Sequence, residues 1–398
     1  MSKIWSFIKN YLKSTDLITL SLSLILSIFG LVLTFIANQA DDVKSGSTIM
    51  FSVGSYVITR SFIIQIAALL IGLFFAFILS KIDYVFISKI WWLPAGIAIF
   101  LVVLTYFIGY SPGGETSNNK AWLDIGGFSM QPSELLKIAF IITFSTHINK
   151  VADNVNSLGN IILLLLHGFI PTFLIILQGD IGNSLMFVIM FIIMLFAAGL
   201  KFRYFAFGSL ALLIASPIIW FNLSDYQKDR FLIAFYPEND PLGDGYQQYN
   251  SRLIIGSGQL WGRGIEESGN LNLPVRESDF IFSVSGETFG FIGCVFILIL
   301  LAFLMFRFIR ISSLSPDPLG SSICIGMFSL IAVQSIINIG MNICLAPVIG
   351  VTLPFLSSGG SSTLTLFIGI GLILSVYIHS KPPTYIAHKR TNIIYDLK

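Results

Sequence analysis

Ten stretches of this chain are each apolar over about the length that a bilayer demands. A helix crossing the hydrocarbon core needs roughly 20 mostly apolar residues, because its backbone groups must pair within the helix itself. Such stretches run near 17–38, 61–80, 91–110, 133–148, 158–177, 182–199, 203–222, 285–306, 319–341 and 362–380. The fourth is the shortest and opens on a charged turn, Ser133-Glu134-Leu135-Leu136-Lys137. Only 11% of the 398 residues are charged and mean hydropathy is +0.84, whereas a soluble domain carries roughly 25% charged residues. Too little charge remains to cover a water-facing surface. Disorder, a collagen-like fibre and a disulfide scaffold fall with the soluble fold. The expectation is an all-α polytopic membrane protein, a single transmembrane domain over 1–398 with about ten helices.

Charge placement orients it. With the N-terminus inside, 14 Lys and Arg fall on cytoplasmic connections and 8 on outer ones, with Lys137 inside a span. The excess favours both termini in the cytoplasm. The net charge of +2 makes nucleic acid an unlikely main partner. No small-residue cleavage site follows the first stretch, so no signal peptide is expected. One connection stands apart: a large extracytoplasmic loop, about 223–284, between the seventh and eighth helices. Loops this long are usually functional or disordered, and Trp261, Phe280 and Phe282 argue for order.

Chemistry is sought among the few polar groups near membrane depth, where ionisable side chains are costly. Glu134 and Lys137, three apart, share one helix face; they read either as a structural ion pair or as part of a site. Gln131-Pro132-Ser133 suits a helix start. Asp279 is the last acid before an apolar stretch at the outer boundary. Partial desolvation there raises a carboxylate pKa and suits a general base; the alternative is a solvated aspartate or a helix cap. Glu287 either points into the bundle from the eighth span or caps its start. Cys294, Cys324 and Cys344 lack metal or disulfide spacing and read as packing residues, and the four histidines are scattered. Gly256-Ser257-Gly258 with Gly262-Arg263-Gly264 lacks the Lys-Ser/Thr of a phosphate loop, and it reads as turns, like Asp180-Ile181-Gly182.

These segments resemble the SEDS family over nearly all ten spans. The resemblance rests on Trp122-Leu123-Asp124-Ile125-Gly126 running into Gln131-Pro132-Ser133-Glu134-Leu135-Leu136-Lys137, and on Gln178-Gly179-Asp180-Ile181-Gly182-Asn183. It continues through Ile255 to Gly264, Leu273-Pro274, Ser278-Asp279-Phe280-Ile281-Phe282, Asn338-Ile339-Gly340-Met341 and Pro354 to Ser362. Tyr226 to Arg230 and Asp240 to Gln247 are closer to the elongation member RodA than to FtsW. The chain departs from the family at Ala121, Val275, Glu277, Thr288 and Ser358, where a basic residue, Glu, His, Glu and Tyr are usual.

The resemblance implies a peptidoglycan glycosyltransferase that polymerises lipid II on the outer face of the cytoplasmic membrane, releasing undecaprenyl pyrophosphate, for cell elongation. Asp279 falls on the family's essential aspartate and is expected to be the base. Lys137, Lys120, Arg230, Arg252 and Arg276 are candidates to balance the pyrophosphate, since charge gathering on a leaving group calls for cations or a metal. Glu134 and Lys137 would line the substrate cavity, with Trp122, Gln131 and Ser133 shaping its mouth and Glu287 nearby. A divalent cation, Mg or Mn, is compatible with this chemistry but not required by the sequence. The implied partner is a class B penicillin-binding protein, a single-span transpeptidase. Alternatives are a lipid II flippase, a septal or sporulation polymerase, and a non-catalytic scaffold that recruits the transpeptidase.

Overall fold

A computed structural model describes residues 2–39, 49–53, 56–111, 120–126, 128–222, 225–269 and 272–380. Residues 223–224 and 270–271 of the outer loop, and the C-terminal 381–398 expected in the cytoplasm, lie outside the described residues.

All ten apolar stretches are helical. In chain order the elements are α1 (Ser2–Ser14), α2 (Leu17–Ala37), the hairpin β1 (Ile49–Val53) and β2 (Tyr56–Thr59), α3 (Arg60–Lys81), α4 (Tyr84–Lys89) and α5 (Trp92–Ile108). A second hairpin, β3 (Leu123–Ile125) and β4 (Phe128–Met130), leads into α6 (Pro132–Val151), α7 (Leu158–Leu177), α8 (Ile181–Ala197) and α9 (Phe202–Asn222). The loop carries α10 (Asp225–Ile233) and α11 (Tyr246–Ser257), and α12 (Ile281–Leu314), α13 (Pro318–Asn342) and α14 (Gly360–His379) complete the bundle. Among the described residues eight helices are long and apolar enough to cross a membrane; α5 and α8, 17 residues each, are apolar but shorter. Side-chain caps mark several starts: Thr59 accepts from Phe62 N, Asp180 from Asn183 N and Asp317 from Gly320 N, each satisfying an otherwise unpaired donor.

The most buried spans are not the most apolar ones. Helices α6, α13 and α14 have hydropathies of 1.2 to 1.9 and bury 61 to 78% of their windows, whereas α3, at 2.8, buries 28%. Lipid tails are as apolar as leucine, so helices in a bilayer associate through small and polar residues that let backbones approach. Gly72 of α3 accordingly lies against Phe367 of α14, and Gly371 of α14 against Ala76 of α3. Helix α9 buries none of its window.

Two expectations need correction. The eighth span begins at Ile281 rather than 285 and runs to Leu314, broken by a kink at Gly290 (φ 64°, ψ −158°). Trp261 is 80% exposed and does not order the loop; Ile254, Leu273 and Phe280, packed with Val348, do so.

That kink gives the glycine cluster its purpose. Broken at Gly290, the helix leaves backbone groups unpaired, and the loop answers them. Arg263 N and Gly264 N donate to Glu287 O and Thr288 O (2.8 and 3.2 Å), while Phe291 N and Ile292 N donate to Gln259 O and Leu260 O (2.8 and 3.3 Å). Gly262, at φ 84°, has no room for a side chain, since a Cβ would stand 2.1 Å from Thr288 O. The loop is thus fastened to α12 by main-chain bonds.

Candidate functional site

The starts of α6, α8, α12 and α14 meet at one end of the bundle, and most of the candidate residues stand there. Asp279 lies in the turn before α12. Its position is set by backbone bonds: Ser278 N and Asp279 N both donate to Val275 O at 3.1 Å, with Val275 itself at φ 51°. The side-chain amides of Asn338 and Asn342, one helical turn apart on α13, both donate to Asp279 O (2.9 and 3.0 Å). From the α14 side, Ser357 Oγ donates to Ser278 O (2.5 Å) and Ser358 N to Glu277 O (2.8 Å). Four donors therefore hold the backbone of 277–279 and leave the Asp279 carboxylate free of that work. Phe280 occupies the cap position of α12, so Asp279 is not a helix cap. Desolvation by its surroundings, with the Glu277 charge adding to it against a hydrogen bond from Ser278, pushes the Asp279 pKa up to about 6.

The segment 343–359 joins this aspartate to the starts of α6 and α8. A Cβ on Gly350 would stand 3.9 Å from Asp279 Oδ2, and one on Gly182 would stand 2.4 Å from Ile349 O. Beside Gly182, Asp180 accepts from Gln131 Nε2 (2.9 Å), Asn183 N (3.0 Å) and Asn183 Nδ2 (2.8 Å). Gln131 N in turn lies 3.5 Å from Ser361 Oγ at the start of α14. One turn into α6, Lys137 Nζ meets Glu134 Oε1 at 2.7 Å, both buried. Ser133 Oγ is buried with no hydrogen-bond partner among the described residues. Trp122 pairs with Tyr110 through its backbone (2.9 and 3.3 Å), steering the β3–β4 hairpin into Gln131.

The basic candidates divide. Arg276, three residues before Asp279, is fully buried and its Nη2 contacts Glu287 Oε2 at 2.7 Å. Its Nε and Nη1 find no partner among the described residues. Glu287 points inward rather than capping α12, and its other oxygen accepts from Gly269 N (3.1 Å). Arg252 faces outward in a half-exposed pair with Glu238 (3.1 Å). Lys120 is exposed. Arg230 stands on α10, its side chain outside the described residues. Among the described residues no group of three or more His, Cys, Asp or Glu stands close enough to hold a metal.

Sequence reading passed over three features. The role of Asp180 as the acceptor joining α6 to α8 was hidden in an apparent turn. Asn338 and Asn342, spaced i, i+4 in an apolar helix, were the signal for a buried polar clamp. The histidines are not all scattered: His147 Nδ1 and His167 Nδ1 approach to 3.1 Å, and His167 Nε2 lies 3.1 Å from Thr143 Oγ1. This pair lines an apolar cavity of about 390 Å³ between α5, α6 and α7, reaching Leu136 beside Lys137. A second cavity, about 310 Å³ and more polar, lies in the loop between Asp244, Tyr246, Gln248, Pro274 and Val348.

Comparison with known proteins gives the family and the fold. The cell cycle protein family FTSW_RODA_SPOVE matches residues 16–382. Stage V sporulation protein E of Bacillus subtilis is 34% identical over 381 residues, 92% of this chain and 98% of that protein. Peptidoglycan glycosyltransferase MrdB of Escherichia coli K12 is 36% identical over 289 residues, 71% of this chain and 76% of that protein. A probable peptidoglycan glycosyltransferase FtsW of Trichlorobacter lovleyi is 31% identical over 375 residues, 91% of this chain and 92% of that protein. Among solved structures, a chain from work on the coordination of polymerization and crosslinking by a peptidoglycan synthase complex superimposes with a TM-score of 0.75 at 25% identity, covering 93% of this chain and 99% of its own. The rod shape determining protein RodA of Thermus thermophilus superimposes with a TM-score of 0.66 at 22% identity, covering 93% and 98%, and shares the fold.

Proposed function

The chain belongs to the FtsW/RodA/SpoVE family of multi-pass membrane proteins, and on that premise we propose that it is a peptidoglycan glycosyltransferase polymerising lipid II at the Asp279 end of the bundle, on the outer face of the cytoplasmic membrane. The whole chain acts as one transmembrane domain, with both termini in the cytoplasm. The observation that carries the reading is a half-buried carboxylate whose backbone is clamped by Asn338, Asn342, Ser357 and Ser358. A sugar 4-hydroxyl is a poor nucleophile at neutral pH. Asp279 takes its proton as the oxygen attacks the anomeric carbon, and the bond from that carbon to the lipid pyrophosphate breaks. A base with pKa near 6 is ionised at neutral pH yet still basic enough to help.

The leaving pyrophosphate gathers negative charge at the end of the bundle where the N-termini of α6, α12 and α14 bring the positive ends of their dipoles together, the α8 start being already capped by Asp180. Lys137, paired with Glu134 on α6, shares its charge with the pyrophosphate, and Lys120 adds an exposed cation. Arg252 faces outward to Glu238, and Arg276 ties the loop to Glu287 of α12, so both serve the loop rather than the pyrophosphate. The apolar cavity from Leu136 to His147 is suited to part of the isoprenoid chain.

The partner is a class B penicillin-binding protein, and elongation is the favoured duty, from the Tyr226 to Arg230 and Asp240 to Gln247 segments. Localisation to the sidewall rather than the septum is the result expected for that assignment. The chemistry is tested by polymerisation of labelled lipid II with purified wild type and Asp279→Ala, each with and without the transpeptidase. Glycan chains from wild type alone are expected; equal chain formation by the variant removes Asp279 as the base.

A further inference from the structure

At the end of the bundle opposite Asp279, a cavity of about 610 Å³ opens between α1 and the ends of α2, α12 and α14. Its wall from α1 is a stripe at helical spacing, Trp5, Lys9 and Leu12, with Lys13 beside it. Another face of α1 fixes the helix to the bundle. Tyr11 packs edge-on against Phe77 at 4.9 Å, its hydroxyl lies 3.0 Å from Ser80 Oγ, and the Lys81 ammonium sits 4.0 Å over its ring.

The cavity floor is a closed polar unit. Asp16 receives Arg307 through two bonds (2.8 and 2.6 Å) and Thr19 through its N (3.2 Å) and Oγ1 (2.5 Å), while Arg307 leans on the Tyr377 ring at 5.7 Å. Both Asp16 oxygens are occupied and its charge is matched. The net charge facing the cavity therefore comes from Lys9 and Lys13, both exposed and without an acidic partner among the described residues. Around them stand Trp5, Leu12, Leu17 and Ile18, exposed by 70, 42, 46 and 54%. Two cations beside exposed apolar side chains, on an amphipathic helix at a membrane boundary, match one chemistry.

We infer that this cavity binds the phosphodiester headgroup of an anionic glycerophospholipid. Lys9 and Lys13 hold the phosphate, Trp5 sits at headgroup level, and the acyl chains run down Leu12, Leu17 and Ile18 along the start of α2. A soluble phosphate would meet the same lysines but leave those four apolar side chains uncovered.

The test is native mass spectrometry of the full chain released from lipid discs holding phosphatidylglycerol and phosphatidylcholine in equal parts. Wild type retains phosphatidylglycerol in preference. Each lysine near an anionic headgroup is worth about fivefold, so Lys9→Gln with Lys13→Gln lowers that retention about thirtyfold and leaves phosphatidylcholine unchanged. Lys9→Arg with Lys13→Arg keeps it. Equal retention of both lipids by wild type, or unchanged retention by the Gln pair, overturns the site. Displacement by free glycerol phosphate as effective as that by the lipid overturns the lipid assignment. A melting temperature lowered by the Gln pair in phosphatidylcholine-only discs would show that the lysines serve the fold and also overturn it.

Discussion

Two buried ion pairs lie among the candidate residues, each closed at 2.7 Å, and they are built in different ways. Glu134 and Lys137 sit three apart on α6, so one turn of helix brings them together. Arg276 and Glu287 join a loop to α12 across the turn that carries Asp279, and an arginine stays charged whatever happens to its partner. A pair made by one helix leaves its surroundings where they were when it is broken. A pair that spans two elements takes the position of the loop carrying Asp279 with it. The first is suited to meeting substrate and the second to holding geometry.

Substitutions in both pairs sharpen that contrast. The largest effect belongs to the proposed base: Asp279→Asn is expected to lower glycan polymerisation by about 10²- to 10⁴-fold, the range for general-base catalysis, with an unchanged melting temperature. Its pKa of about 6 sets the pH dependence. The active form is the carboxylate, so wild-type kcat/KM should be level above that value and fall tenfold per unit below it. A flat profile down to pH 5 would remove the base from Asp279.

Next comes Glu287→Leu, which strands a buried arginine and should destabilise the protein by about 3–5 kcal/mol. Hydrogen exchange should rise across 272–280. Adding Arg276→Leu should restore most of the stability without restoring activity, because the loop is no longer pinned. Recovery of both would reduce the pair to packing. Lys137→Ala is expected to lower activity about 10- to 100-fold, the worth of a charge-assisted hydrogen bond, with exchange across 272–280 unmoved. Thermal stability falling in step with activity would make this pair structural too, and the contrast would fail. Smallest is Arg252→Ala: its pair with Glu238 is half exposed, so stability and activity should stay within about 1 kcal/mol of wild type.

Much of this was legible in the chain. Each apolar run marked a helix, because a span must carry its own solvent match residue by residue. The Glu134–Lys137 pair followed from spacing alone. Asp279 stood out as the last acid before a span. Pairings across elements were not legible. Nothing in the spacing of Arg276 and Glu287 says that they meet, since the kink at Gly290 and the loop bonded to it decide that. The histidines looked scattered because α6 and α7 are separate stretches; their antiparallel packing brings His147 onto His167. Trp261 misled for the same reason in reverse, since aromatic character does not say which way a loop residue faces.

The sequence by itself determined the solvent this protein lives in, the helices that cross it and the handful of groups able to carry charge there. Those are local properties, fixed by the composition and period of each segment. The tertiary structure decided which of those charges are free to act. It matched Arg252 and Arg276 with acids, clamped the backbone of Asp279 with two asparagines from another helix, and left Lys9 and Lys13 without an acidic partner among the described residues at the far end. Charge pairing depends on distances between segments far apart in the chain, and only packing sets them.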